Sequence, residues 1–227
     1  SYTQPLALLA GTTPYNMEAG TIFTPTLTPS FTKNDAGNIT TVVINRNGSI
    51  VSNRSDLNAF TEPVALIANG NYVYNTIISY ESGSIKNDNF GDLSPSGSIQ
   101  AGSKTSSNIT YSSYRNAFYG ATSNTTTPTT STEIRALTPK SSPVNGTTFT
   151  ISGKAGDQML VFAYPATLQD VTSCKYVEGM NAEMKTSFTK YSFNVEGASG
   201  NLPILYKVYV YTAAVPFSGS YTVSVTI

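Results

Sequence analysis

The feature that most constrains the fold is a strict alternation of apolar and polar residues that runs to the last residue. In the segment 221–227, every second residue is Tyr, Val or Ile, and the residues between them are Thr or Ser. A period of two is that of a β-strand with one buried and one solvated face. We therefore predict that this segment is a strand with one wet face.

A second alternating segment, 205–211, lies just upstream and is separated from the first by Pro216 and Gly219. Proline and glycine interrupt strands and favour a connection between them. We therefore expect the two segments to pair with each other as antiparallel neighbours.

One face of the segment 205–211 carries Lys207, Tyr209 and Tyr211, opposite a face of apolar residues. Tyrosine offers a flat apolar ring and a hydroxyl at a low cost in conformational entropy, which suits both sugar stacking and protein interfaces. We expect this face to point outward, and we take its three residues as a candidate subunit contact.

The composition favours an all-β fold. Tyr and Thr, which fit pleated strands, are abundant, whereas strong helix formers are scarce. Strand-rich regions lie on either side of "GATSNTTTPTTSTEI" at 120–134, which has the composition of a solvated linker. We predict two small antiparallel β-sandwich modules, Ig-like or jelly-roll-like, at 1–124 and 125–227, joined by this Thr- and Ser-rich linker.

Other segments also have the pattern of strands. The segment 41–52 predicts a hairpin around Asn47 and Gly48, because these residue types adopt the positive φ angles of a two-residue turn. The segment 21–32 alternates but contains two prolines, which predicts an edge strand or a broken strand. Further strands are predicted at 71–80, 147–153, 158–165 and 187–195.

A long exposed loop is predicted at 81–107, where Gly, Ser, Asn and Asp are abundant. Loops of this length in a β domain are often functional. Its candidate contact residues are Asn87, Asp88, Asn89 and Asp92, which loosely resemble an oxygen-rich calcium loop. Their spacing departs from the EF-hand pattern, so we expect a solvated turn and no metal site.

Several classes of enzyme require residues that the chain lacks. It has no His, which removes Ser-His-Asp and Cys-His catalysis and the His-bearing zinc sites. Cys174 is the only Cys, so an intrachain disulfide cannot form. The 13 carboxylates leave a glycosidase-type Asp/Glu pair open, although no spacing singles one out. We expect a protein that is not an enzyme and that binds no cofactor.

Charge and hydropathy exclude two kinds of partner. The formal net charge is zero and Lys and Arg are scattered, so we expect no binding to nucleic acid. The longest apolar run, "MLVFAY" at 159–164, is too short to cross a bilayer.

The segment "PLALLA" at 5–10 lacks the basic flank and the length of a secretory signal. We expect Ser1 to be either a processed terminus or the start of a fragment.

Two long parts of the sequence resemble modules of tailed-phage fibre and appendage proteins. "FAYP", "SFT" and "YKVY" occur in that order in the second half, which resembles the C-terminal module of these proteins. The first half, with "YNMEAGTIFTPTLTPSFTKNDAGNITTVVINRNG" and "RNAFYG", is similar to the module that often precedes it. The crAss-like and related phages are the setting that this resemblance indicates. The segment "TSCKYVEGMNAEM" departs from the family, which usually has an aspartate-glycine-phenylalanine segment there.

The resemblance implies a virion structural protein, a fibre or appendage subunit of the tail, neck or capsid, assembled in the host cytoplasm. It implies a homotrimer, contacts with other virion proteins, and attachment to a host-surface glycan or protein. One alternative is a capsid decoration or tail-assembly protein without receptor binding. A second is a bacterial surface adhesin or glycan-binding module, and a third is a carboxylate-based depolymerase.

Overall fold

The computed structural model describes residues 2–87, 91 and 97–227. The fold is all-β, as predicted, with 49% of residues in strands and 5% in helices. The chain divides into two compact units: unit 1 comprises Ser1–Met17 and Ile22–Ser113, and unit 2 comprises Glu18–Thr21 and Tyr114–Ile227.

Unit 1 is built from antiparallel strands. Along the chain these are β1 (Leu6–Gly11), β2 (Asn16–Glu18, which ends at the first residue assigned to unit 2), β3 (Ile22–Phe23), β4 (Thr26–Thr32), β5 (Ile39–Arg46), β6 (Ser49–Arg54), β7 (Phe60–Thr61), β8 (Leu66–Ile67), β9 (Asn71–Tyr80), β10 (Gly102–Thr105) and β11 (Ile109–Tyr114). One sheet has the order β1-β4-β7, a larger one has the order β2-β11-β9-β5-β6 with β10 also on β9, and β3 pairs with β8.

The sequence patterns of unit 1 predicted its main hairpin and its central strand. Strands β5 and β6 form the predicted hairpin, and both turn residues have positive φ, 50° at Asn47 and 81° at Gly48. In β9, alternate residues including Tyr74 and Ile78 are fully buried, and the residues between them are only partly buried. The segment 21–32 is broken as predicted, since β3 ends before the first of its two prolines and β4 begins after it.

The predicted loop at 81–107 is only partly a loop in the described residues. Strand β10 lies within it and pairs with the second half of β9. Strand β11 pairs with the first half of β9 along the same edge. Ile99 is 7% exposed and accepts a hydrogen bond from the Gly83 N–H through its backbone carbonyl. Part of this segment is therefore packed onto the unit.

Unit 2 is a sandwich of two antiparallel sheets. Its elements are β12 (Ala117–Thr122), α1 (Ser131–Arg135), β13 (Lys140–Ser141), β14 (Thr148–Gly153), β15 (Met159–Pro165), β16 (Ser173–Tyr176), β17 (Ala182–Glu183), β18 (Thr189–Val195), β19 (Ile204–Thr212) and β20 (Tyr221–Thr226), with 3-10 turns at Lys185–Ser187 and Ala198–Gly200. One sheet has the order β13-β12-β15-β19-β18, and the other has the order β14-β20-β16-β17.

Two apolar layers lie on the two faces of the five-stranded sheet of unit 2. The layer between the sheets contains Phe149, Phe162, Val225 and the fully buried Cys174. The second layer covers the outer face of the five-stranded sheet and contains Ile134 from α1. All residues of β15 are therefore buried, which explains its unbroken apolar sequence.

The predicted antiparallel pair at the end of the sequence does not form. Strand β19 pairs with β15 and β18, whereas β20 pairs with β14 and β16 in the other sheet. The connection that contains Pro216 and Gly219 therefore crosses from one sheet to the other. Alternation determined the buried face of the last segment correctly, because Val223 and Val225 of β20 and the following Ile227 are all fully buried.

The Thr- and Ser-rich segment at 120–134 is part of unit 2 and does not link the two units. Its first residues belong to β12, which pairs with β15 from Phe118 to Thr122. Its last residues form α1, which begins at a capping box between Thr130 and Glu133. Unit 1 accordingly ends at Ser113 and not at the predicted residue 124.

Candidate functional site

Four loops meet at one end of the sandwich of unit 2. They connect β12 to α1 (123–130), β14 to β15 (154–158), β16 to β17 (177–181) and β19 to β20 (213–220). The strand register places these loops together. In one sheet β12 and β19 end beside the start of β15, and in the other β14 and β16 end beside the start of β20. We call this end of unit 2 the loop end. Loops that a rigid sandwich holds together at one end commonly carry its binding function.

An aromatic stack holds two of these loops in place. The ring centroid of Tyr221 lies 4.2 Å from that of Phe217 and 4.3 Å from that of Tyr176, with interplanar angles of 10° and 19°. Two parallel rings cannot share one face of Tyr221 at these distances, so Tyr221 lies between them. Tyr211 adds a further ring at 5.9 Å from Tyr221.

Backbone packing at two glycines completes this stack. A Cβ at Gly153 would lie 2.9 Å from the Phe217 ring, and a Cβ at Gly179 would collide with the Tyr176 ring. The pKa of the Tyr221 hydroxyl is raised above its ordinary value, mainly by burial and secondly by a hydrogen bond with Tyr211. This hydroxyl therefore stays protonated. The stack therefore acts as a rigid support for the loop end.

Three aliphatic side chains project from the same loops. Met180 is 94% exposed, Val215 is 69% exposed and Val177 is 43% exposed. Met180 also has a φ of +56°, in the left-handed region that a residue with a side chain rarely adopts. The loop end thus presents apolar groups to solvent on a rigid base.

A groove of about 350 Å³ runs between the end of β12 and α1. Its polar lining consists of hydroxyl, amide and carboxylate side chains, and its apolar lining comes from β12, β15 and the residues on either side of α1. The lining residues are Gly120, Ala121, Thr122, Asn124, Thr126, Pro128, Glu133, Ala136, Leu137, Thr138, Met159 and Val161. We call it the helix groove.

A second groove of about 600 Å³ adjoins the helix groove. The two share Ala121, Thr122 and Thr138, so they form one continuous depression. The second groove is also lined by Ser123, Ser152, Lys154, Ala155, Gly156 and Asp157. The loop 154–158, which lines this groove, is fixed to the aromatic stack by two backbone hydrogen bonds. The Gly156 N–H donates to the Phe217 carbonyl, and the Phe217 N–H donates to the Asp157 carbonyl.

The predicted outward face of β19 is mostly buried. Tyr209 is 5% exposed and stacks on Phe162 at 4.8 Å between the two sheets. Lys207 donates from Nζ to the Leu168 carbonyl at 2.5 Å and forms an ion pair with Asp170 at 2.8 Å. The prediction of an exposed face was wrong because the second sheet covers it. Of the three residues, Tyr211 alone belongs to the loop end.

The other predicted contact residues lie in unit 1. Asn87 is exposed, and Asp88, Asn89 and Asp92 lie outside the described residues. Within residues 2–87, 91 and 97–227, no group of at least three His, Cys, Asp or Glu side chains is arranged to hold a metal ion.

The sequence interpretation missed most residues of the loop end. The alternation predicts only a buried strand face for Tyr221, and Tyr176 and Met180 lie in "TSCKYVEGMNAEM", which departs from the modules that the rest of the sequence resembles. That departure was the usable signal, since it coincides with the loop 177–181. Asn124 and Glu133 lie in the segment 120–134, whose composition predicts a linker and gives no signal for a binding site.

Comparison with known proteins found no matching family model, no matching curated protein and no matching solved structure. Among the described residues, no helix has the length and apolar character needed to cross a membrane.

Proposed function

We propose that the protein is a structural component of a tailed-phage particle, a fibre or appendage subunit that contacts the host surface through the loop end. The observation that carries the proposal is the gathering of four loops on a stacked aromatic base. Such an arrangement presents a fixed surface to a partner. The resemblance of the sequence to phage fibre modules supports the particle as its location.

The support for binding lies in the rigidity of the loop end. Aromatic stacking and the backbone hydrogen bonds between Asp157 and Phe217 fix the loops before any partner arrives. A preformed surface loses little conformational entropy on binding, so more of the contact energy becomes affinity. Three exposed aliphatic side chains and two adjoining grooves provide the contacts.

In this proposal the protein works as a homotrimer, has other virion proteins as neighbours and catalyses no reaction. Several copies on one particle bind a surface together, so weak single contacts add up to firm attachment. A fold without a disulfide suits a particle that is assembled in a reducing cytoplasm.

Competition for adsorption tests the attachment role. Purified protein in excess should slow adsorption of the phage to its host bacterium. The double variant Met180→Asp and Val215→Asp should compete at least tenfold less well, because charges replace exposed apolar groups at the loop end. The matched control is Ile50→Asp, since Ile50 is 63% exposed on a hairpin of unit 1. Adsorption that stays unchanged with excess wild-type protein would count against attachment and favour a capsid decoration or tail-assembly role.

A glycan-binding module of a bacterial surface is the second candidate, and the adjoining polar grooves favour it. This candidate predicts a gene among surface-export genes and no protein on phage particles. Gene neighbours that encode portal, tail and capsid proteins would exclude it.

A further inference from the structure

The helix groove contains a carboxylate that is held in place with one oxygen available. Glu133 accepts three hydrogen bonds through Oε2, from the Thr129 N–H at 2.9 Å, the Thr130 N–H at 2.9 Å and the Thr130 hydroxyl at 2.8 Å. These bonds hold the pKa of the Glu133 carboxyl below its ordinary value, so the group is ionised at neutral pH. Oε1 takes part in none of them and is free to accept a hydrogen bond in the groove.

The facing loop supplies donors that are also fixed. Asn124 accepts the Thr126 N–H through Oδ1 at 3.0 Å, which leaves both hydrogens of its amide nitrogen for a ligand. Thr122 accepts the Asn124 N–H through Oγ1 at 3.1 Å, which leaves its hydroxyl hydrogen for a ligand. Thr126 and Thr138 add two further hydroxyls to the lining.

The floor of the helix groove is apolar. Leu137, Met159 and Val161 line it together with Ala121. Gly120 allows β12 to pack closely against the backbone of Thr138, because a Cβ there would lie 2.9 Å from the Thr138 carbonyl oxygen. A ligand with one apolar face and a rim of polar groups fits this surface.

We infer that the helix groove binds a neutral carbohydrate. Sugar hydroxyls both donate and accept hydrogen bonds, which matches the carboxylate oxygen, amide and hydroxyls of the lining, and the C–H face of a sugar ring matches the apolar floor. Among the described residues no Lys or Arg lines the helix groove, and its one ionised group is negative. The one Lys of the adjoining groove, Lys154, shares that groove with the carboxylate of Asp157, so an anionic ligand is disfavoured. This inference rests on the proposed attachment function and gives its ligand class.

The size of the site favours an oligosaccharide over a single sugar. The helix groove has about 350 Å³, at the lower end of the range for small-ligand sites. The adjoining groove of about 600 Å³ continues from it through Thr122 and Thr138 and is lined mainly by polar side chains. A second and a third sugar residue therefore have a path along the surface of unit 2.

Saturation-transfer NMR and calorimetry test this inference on the purified full chain. The probes are maltotriose, mannotriose, galactotriose and N,N′,N″-triacetylchitotriose, with oligosialic acid as the anionic comparison. We expect at least one neutral probe to bind, with the anionic probe at least tenfold weaker. The double variant Thr126→Val and Thr138→Val should weaken binding about tenfold, because it removes two hydroxyls that can form hydrogen bonds with the sugar.

Two further variants separate a lost contact from a lost fold. Ala136→Met fills the helix groove at an exposed position and should also weaken binding about tenfold. Thr28→Val, the same substitution at an exposed position of β4 in unit 1, should leave binding unchanged. Failure of all neutral probes, preference for the anionic probe, or binding that resists both groove variants would overturn the inference. Each of these results leaves the adsorption test intact, so failure of the ligand class is distinguishable from failure of the attachment function.

Discussion

Met180 combines two properties that are unfavourable for an isolated fold. Its side chain is 94% exposed, and its backbone has a φ of +56° in the left-handed region. For a residue other than Gly, Asn or Asp, this conformation costs about 1–2 kcal/mol. Neither property stabilises the fold, so we expect the Met180 side chain to serve a contact.

Replacement of Met180 by Asn should therefore stabilise the protein. We expect Met180→Asn to raise the free energy of unfolding by about 0.5–1 kcal/mol, because Asn tolerates the left-handed region. Urea unfolding followed by circular dichroism measures the change. Val215→Asn is the control, since Val215 is exposed but is not among the residues with positive φ. Equal or lower stability of Met180→Asn would show that the backbone of Met180 is not strained.

Asp170 forms ion pairs with two lysines, Lys190 and Lys207. It contacts Lys190 at 2.7 Å and Lys207 at 2.8 Å, and the hydrogen bond from Lys190 contributes most to lowering its pKa from 3.8 to about 2. A carboxyl whose pKa is lowered by folding stabilises the protein above its unfolded pKa and loses that contribution as the pH falls through its folded pKa.

Asp170→Asn should consequently destabilise the protein at pH 7 and have little effect at pH 2. The difference at pH 7 should stay below about 1 kcal/mol, because the Asp170 side chain is 56% exposed and solvent screens the pair. Chemical unfolding of both proteins between pH 7 and pH 2 measures the difference. A constant difference over this range would mean that the ion pairs do not contribute.

At the scale of elements, the loop 177–181 is held by close packing of its backbone against an aromatic ring. A Cβ at Gly179 would collide with Tyr176, whereas a Cβ at Gly219 would meet nothing within 4 Å. The two glycines lie in loops at the same end of the sandwich, so they form a matched pair for substitution.

Gly179→Ala should lower the free energy of unfolding by about 1–3 kcal/mol, because the ring or the loop must move to admit the methyl group. Gly219→Ala should leave it unchanged or raise it slightly, because it only restricts the unfolded chain. Thermal unfolding of both variants provides the comparison. Similar stabilities for the two would contradict the packing described for the stack.

Alternation predicted which segments are strands better than it predicted their partners. It located β9, β14, β18, β19 and β20, because a half-buried strand alternates wherever its neighbours lie. Strand β15 was predicted from its apolar run and does not alternate, because both of its faces are buried. The same pattern does not say whether a Pro- and Gly-containing connection makes a hairpin or crosses between sheets. The pairing of β19 with β20 was therefore predicted wrongly.

The candidate site was predicted only in part, for two physical reasons. Lys and Tyr have long apolar parts and a polar end, so a sequence pattern predicts that Lys207 and Tyr209 are exposed. In the structure both side chains are largely buried against other residues. The helix groove depends on Glu133 and Asn124, which lie in a segment whose composition is that of a linker. A capping box is visible in that segment, yet a short helix alone does not indicate a groove.

At the scale of the whole molecule, the proposed function predicts a homotrimer. Size-exclusion chromatography with light scattering should give about three times the chain mass of 24.1 kDa. Attachment by several weak contacts depends on this, because avidity requires linked copies. A monomer at all concentrations tested would contradict assembly of the isolated chain into a fibre.

We propose that this protein is part of a phage particle and projects from it. Immunogold electron microscopy of gradient-purified particles, with antibodies raised against the purified chain, tests this proposal. We predict gold label on appendages of the tail, neck or capsid, and peptides of the chain in the mass spectrum of the same particles. Unlabelled particles that also lack these peptides would contradict the claim.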